Sequence, residues 1–271
     1  MKLRLIAAAV LLPLLLVVLL ALPGVCTMVL VGLMAAVSAI ELLWNTGLVK
    51  QVRLVAYSAV MAFLLAVWSY TGMAYAWLLL GILVFSAALF GEVLASHGKL
   101  PFAQIAICFV GGFMIPLLLT AMVRLRAMEQ GKAYVLIPFA IAFMSDSGAY
   151  FAGKFLGKHK LAPNISPNKT VEGMIGGVAA GMVGMVIFCL VLQLGFGFRV
   201  NYGYGLICGL AGSLAGVFGD LAFSAIKRQT GVKDYGKLIP GHGGVLDRFD
   251  SMVMIAPLVE AFMILIPISV K

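Results

Sequence analysis

Residues 220–250 read DLAFSAIKRQTGVKDYGKLIPGHGGVLDRFD. These 31 residues hold five Lys or Arg and four Asp, whereas the chain before them is almost continuously apolar and contains only one further Asp, Asp146. An ionisable residue in or beside a bilayer is costly to keep, so this concentration of carboxylates points to chemistry.

The apolar runs around the stretch set the fold class. The chain has 271 residues, 63% hydrophobic and 11% charged, with a mean hydropathy of +1.12. A soluble domain of this size needs more polar surface. The pattern predicts an all-α, polytopic integral membrane protein with about nine transmembrane helices. The spans fall near 5–22, 25–44, 54–70, 73–90, 105–123, 133–151, 174–194, 202–222 and 251–270. Residues 1–90 read as an N-terminal group of about four spans without chemistry of its own. Residues 91–271 read as a membrane-embedded catalytic region with polar cytosolic loops at 152–173 and 220–250. Glu41 falls in the last turn of the second span, which places it at the membrane interface.

Charge then orients the chain. With the N-terminus in the cytoplasm, 14 of the 19 Lys and Arg lie on the cytoplasmic side and 5 on the other. The positive-inside bias supports that placement and accounts for the net charge of +9 without a nucleic-acid partner. Asp146 then lies where span six reaches the cytosol, and Lys169 and Thr170 where span seven leaves it. Asp220 closes span eight on the same side, and Asp247 with Asp250 opens span nine. The four cysteines lie far apart inside apolar runs and fit neither a metal site nor a disulfide framework. Gly177, Gly181, Gly205, Gly209, Gly212 and Gly216 carry small-xxx-small spacing, which reads as close helix packing and permits a homodimer.

The spacing of the charges is chemically informative. Asp247 and Asp250 stand three apart at the start of an apolar run; on one helix they share a face and repel unless a cation lies between them. A hard cation such as Mg2+ takes one or two carboxylates and completes its shell with phosphate oxygens. Lys227, Arg228, Lys233, Lys237 and Arg248 suit a polyphosphate. Gly241, Gly243 and Gly244 let backbone N–H groups approach an anion closely. Lys169 and Thr170 enter a helix, whose N-terminus favours anions. The residues alone describe a Mg2+-dependent phosphate site. No GxxxxGK[ST] loop occurs. A transporter, the competing class, would carry its binding groups near mid-membrane, where only Glu260 lies.

The pattern Ser224-x-Ile226-Lys227-Arg228-x4-Lys233-Asp234-x-Gly236-x2-Ile239-Pro240-x-His242-Gly243-Gly244-Val245-x-Asp247-Arg248-Phe249-Asp250 resembles the signature of the phosphatidate cytidylyltransferases, or CDP-diacylglycerol synthases. Ser145 to Phe151 and Ser166 to Gly173 also resemble segments of that family, with Asn168 standing where the family often has Lys. The resemblance implies the reaction of CTP with phosphatidate to give CDP-diacylglycerol and pyrophosphate, on a lipid substrate and with one or two Mg2+ ions. It implies Asp220, Asp247 and Asp250 as metal ligands, with Asp146 a further candidate. Lys227, Arg228, Lys233 and Arg248 would hold phosphates, with Lys169, Thr170, Ser224, Gly243 and Gly244 completing the substrate site. His242 either donates to a phosphate or braces its turn; Asp234 orients a cation or meets the ribose. The implied location is a bacterial plasma membrane, with N-terminus and active site cytosolic.

Overall fold

The computed structural model describes residues 2–239, 241, 243–266 and 268–270; side chains are described between residues 9 and 268. In chain order the helices are α1 (Lys2–Leu16), α2 (Gly24–Ile40), α3 (Val52–Thr71), α4 (Tyr75–Ala95), α5 (Phe102–Phe109), α6 (Ile115–Leu119), α7 (Ala121–Ala127), α8 (Gly131–Tyr134), α9 (Ile137–Leu156), α10 (Val171–Phe196), α11 (Tyr202–Gln229), α12 (Leu246–Phe249) and α13 (Met252–Leu265). Short strands β1 (Lys160–Ala162) and β2 (Ser166–Thr170) form an antiparallel hairpin, and β3 (Arg199–Val200) pairs with β4 (Ser269–Val270). Three π-helical turns interrupt the apolar helices, at Val17–Ala21, Glu41–Asn45 and Val110–Met114.

The all-α membrane class is therefore correct. Among the described residues seven helical segments are long and apolar enough to cross a membrane. The first and last expected spans appear as shorter apolar helices, Ala9–Ala21 and Met252–Leu265, so a count of nine crossings is not established. Large apolar side chains such as Val60, Leu64, Leu83 and Val84 are exposed, as suits a surface facing lipid.

The chain divides into two compact units and passes between them repeatedly. The first comprises Met1–Ala127 and Gln229–Phe249; the second comprises Met128–Arg228 and Asp250–Lys271. This partition differs from the sequence-based boundary near residue 90 and cuts through the 220–250 segment. In the first unit Leu54, Leu65, Leu89, Ile105 and Cys108 are completely or almost completely buried in one apolar cluster.

The second unit is built on glycine contacts. A Cβ on Gly177 would lie 2.9 Å from the Ser145 carbonyl and 3.0 Å from the Ala149 methyl, so its absence lets α10 approach α9. Gly209 stands equally close to the backbone of α10 at Gly181 and Met182. Small residues drive close helix packing where lipid removes any hydrophobic incentive to associate.

Several elements depart from the sequence expectation for local reasons. Helix α11 runs on to Gln229, so Asp220 lies within it, because residues 221–229 contain neither Pro nor Gly. Helix α9 continues to Leu156, so Asp146 sits mid-helix rather than in a last turn. The 152–173 segment, read as an open loop, closes into the β1–β2 hairpin.

We expect Gly177→Val to lower the melting temperature of the detergent-purified protein by roughly 5–10 °C, the scale of overpacking in a chain of this size. Gly195→Ala, at a site with no neighbouring atom within 4 Å, should change it by no more than about 1–2 °C.

Candidate active site

In the second unit a cavity of about 510 Å³ gathers residues from four sequence segments. Ser145 and Asp146 come from α9, Lys169 and Thr170 from the end of β2 and the cap of α10, and Asp220 from α11, with Ser251 at its edge. Thr170 is the N-cap of α10: its hydroxyl accepts the Gly173 N–H at 3.1 Å, satisfying one of the amides left unpaired at a helix start. The hairpin feeding that cap is pinned by Glu172, which accepts the backbone N–H groups of Lys158 and His159 and lies 2.6 Å from His159 Nδ1. The capped helix start thus presents Lys169 to the cavity, where its ammonium pairs with Asp220.

Asp220 also accepts a hydrogen bond from the Ser224 hydroxyl, one turn further along α11, at 3.2 Å. Arg228 donates through Nε to the Ile165 carbonyl at 3.1 Å, tying the end of α11 to the hairpin loop. Asp250 is buried, 8% exposed. Burial first, and the negative charge of Asp220 second, push its carboxyl up to about 6, against the opposing pull of the Ser251 N–H and the Lys227 ammonium. A buried carboxylate that feels the negative charge of a second one makes with it a fitting pair for a divalent cation. Among the described residues no three His, Cys, Asp or Glu side chains form a ready-made metal cage.

In the first unit a second cavity, about 550 Å³, is lined by Lys233, Asp234, Lys237, Gly243 and Arg248, together with Gly236, Ile239 and Gly241. The loop around it closes on itself by an Ile239–Gly243 bridge. Gly241 and Gly243 adopt φ of 76° and 90°, a region that side chains resist. Asp247 is buried, and its Oδ2 accepts the N–H groups of Tyr235 at 2.7 Å and Gly244 at 3.0 Å. Asp247 and Asp250 do not share a helix: α12 ends at Phe249, and Asp250 precedes α13. The 247/250 pair read from sequence is therefore distributed between the two units, each carboxylate having its own partners. His242 lies outside the described residues.

Sequence reasoning missed Glu41. Placed at the interface by its position in the span, it is 3% exposed and accepts the backbone N–H groups of Val245 at 3.0 Å and Leu246 at 2.8 Å. A lone carboxylate inside an apolar span was the available signal. Lys154, which also lines the cavity of the second unit, stands 5.6 Å from the Tyr150 ring centroid and was likewise not singled out.

The raised Asp250 pKa sets a pH-dependent test. Above about 6 the folded protein carries a buried, unfavourable carboxylate charge; below it the group is neutral. In metal-free buffer Asp250→Asn should melt a few degrees higher than wild type at pH 7.5. That advantage should shrink as pH falls below the folded-state pKa, as read by paired thermal melts.

A family model described as "Cytidylyltransferase family" matches residues 2–266. A Staphylococcus epidermidis protein named phosphatidate cytidylyltransferase is 35% identical over 184 residues, covering 68% of each chain. A Bacillus subtilis protein of the same name is 48% identical over 136 residues, 50% of this chain and 49% of its own. One from Staphylococcus aureus is 40% identical over 164 residues, 60% of this chain and 58% of its own.

Proposed function

The chain belongs to the cytidylyltransferase family, and from that premise we propose that it transfers the cytidylyl group of CTP to phosphatidate, giving CDP-diacylglycerol and pyrophosphate. The observation that carries this reading is the cavity in which a lysine and a capped helix N-terminus face Asp220 and Asp146. Such a cavity offers both signs of charge to a phosphate and its counter-ion.

The chemistry needs little else from the protein. A phosphatidate oxygen attacks the α-phosphorus of CTP, the bond from that phosphorus to the bridging oxygen breaks, and pyrophosphate leaves with the electron pair. The nucleophile is already anionic, so no protein base has to deprotonate it. The obstacle is the repulsion of one polyanion by another. Lys169 and the start of α10 neutralise phosphate charge in the cavity of the second unit, and Lys227 and Arg228, in the last turn of α11, add positive charge to the same unit. Lys233, Lys237 and Arg248 do so around the cavity of the first unit. Preorganised donors of this kind act on the charge that shifts towards the leaving group.

Mg2+ is part of the proposal. Asp220 and Asp250 would hold it, with Asp146 on the same cavity as Asp220, and it would polarise phosphoryl oxygens and neutralise the polyphosphate. The charge bias of the loops supports an N-terminus and catalytic site on the cytosolic side of a bacterial plasma membrane, where CTP is available.

The test is incorporation of radiolabelled CTP into lipid by purified full-length protein with phosphatidate and Mg2+. Wild type should form labelled CDP-diacylglycerol. Asp220→Asn and Asp250→Asn should each lose about 100-fold or more of the rate, and Lys169→Ala should raise KM for CTP. A folded wild type that labels no lipid would overturn the reading. An active wild type with unimpaired Asp variants would overturn the site but not the reaction.

A further inference from the structure

The loop that carries Lys233, Lys237 and Arg248 is short of regular structure, yet the cavity it forms depends on its shape. Between Thr230 and Val245 no helix occurs among the described residues, and Ile239 and Gly243 pair in an isolated bridge. Further order comes from outside the loop.

That order comes from the end of α2. The helix finishes in the π-helical turn Glu41–Asn45, which carries Glu41 at its start and Asn45 at its end. Glu41 accepts one N–H with each carboxylate oxygen, from Val245 and Leu246. Asn45 donates through Nδ2 to the Tyr235 carbonyl at 2.8 Å. Asp247 then links the two arms of the loop, accepting from Tyr235 N–H on one and Gly244 N–H on the other. Every contact in this chain of bonds falls in the first unit.

Shape complementarity supports the arrangement. A Cβ on either Gly236 or Gly244 would collide with the Glu41 carboxylate, so both glycines are sites where the loop backbone lies against it. On the opposite side the π turn is wedged by Gly111, where a Cβ would come within 3.1 Å of Leu43 and 3.3 Å of Leu42. The turn is held from behind and grips the loop in front. A charged acceptor kept in an apolar span at 3% exposure is costly unless such donors repay it.

We propose that Glu41, with Asn45 beside it, is a positioning residue for the phosphate-binding loop: it fixes residues 235–247 so that Lys233, Lys237 and Arg248 are presented in one geometry. Glu41 acts through the loop and does not touch substrate. The proposal rests on the cytidylyl-transfer reading for its catalytic consequence, but not for the structural clamp itself.

The experiment compares full-length wild type, Glu41→Gln, Glu41→Asp and Asn45→Ala in detergent, by hydrogen–deuterium exchange and by steady-state kinetics with CTP and phosphatidate. Gln keeps the size of Glu but turns an NH2 towards an N–H donor that needs an acceptor. Exchange in peptides covering 235–247 should accelerate about tenfold or more, while peptides from 131–226 stay unchanged. The kcat/KM for CTP should fall about 100-fold and KM for phosphatidate should move less than about twofold. Glu41→Asp, with both acceptor oxygens on a shorter stem, should recover part of both losses, and Asn45→Ala should shift both in the same direction by less. Unchanged loop exchange in Glu41→Gln would overturn the proposal, as would a loosened loop with wild-type kcat/KM for CTP. A wild type that transfers no cytidylyl group would remove the function reading instead, and loop exchange alone would then decide the clamp.

Discussion

A carboxylate withdrawn from water must find N–H donors or cations, and that requirement organises both units of this molecule. Glu41 and Asp247 meet it with backbone amides: four N–H groups, from Tyr235, Gly244, Val245 and Leu246, close on two buried side chains. Asp220 meets it with the Lys169 ammonium and the Ser224 hydroxyl. Asp250 has the Ser251 N–H and hydroxyl but faces the charge of Asp220, and its raised pKa records the shortfall. The first arrangement is saturated and holds a loop in place. The second leaves Asp250 buried beside the charge of Asp220. In a protein so poor in polar residues, one set of carboxylates fixes backbone and the other keeps charge beside a cavity.

The sequence made the second arrangement legible and the first nearly invisible. Asp146, Lys169, Thr170 and Asp220 were brought to one membrane face by hydropathy and charge alone, and the structure sets all four around a single cavity. Topology suffices there, because each residue sits on or at the start of a long apolar helix whose position is fixed by its span. Glu41 has no such marker. Its partners are backbone amides more than 200 positions away, and no side-chain pattern announces a backbone donor. The Asp247–Asp250 pairing failed for a related reason. Spacing predicts a shared face only where the helix is continuous, and here it stops at Phe249 and restarts at Met252.

Helix ends were the other weak point, and the physical cause is the same in each case. Hydropathy reports where a helix leaves the apolar phase, not where its hydrogen bonds stop. Helix α11 keeps its ladder for two more turns beyond Asp220, through Ser224 to Arg228, because nothing in those residues breaks it. That extension puts Asp220 and Ser224 one turn apart on a rigid scaffold and carries Arg228 to the Ile165 carbonyl of the hairpin loop. The hairpin itself was read as loop because Pro163, Pro167 and six polar residues hide a pairing of only a few positions.

The glycines give the last link between fold and chemistry. Read as packing residues, they remain so: Gly177, Gly181, Gly209 and Gly212 all meet helices of their own unit so closely that an added Cβ would force a neighbour to shift. Their consequence reaches the site nonetheless. Asp146 lies on α9 and Lys169 and Thr170 lead into α10, so the distance across the cavity is set by how closely those two helices approach. Gly148 and Gly153 on one helix, and Gly173, Gly176 and Gly177 on the other, set that approach. A cavity lined by charges of both signs depends on their separation, since the interaction of charges in a low-dielectric surrounding changes steeply with distance. The charged side chains around this cavity are thus placed by residues that have no side chain.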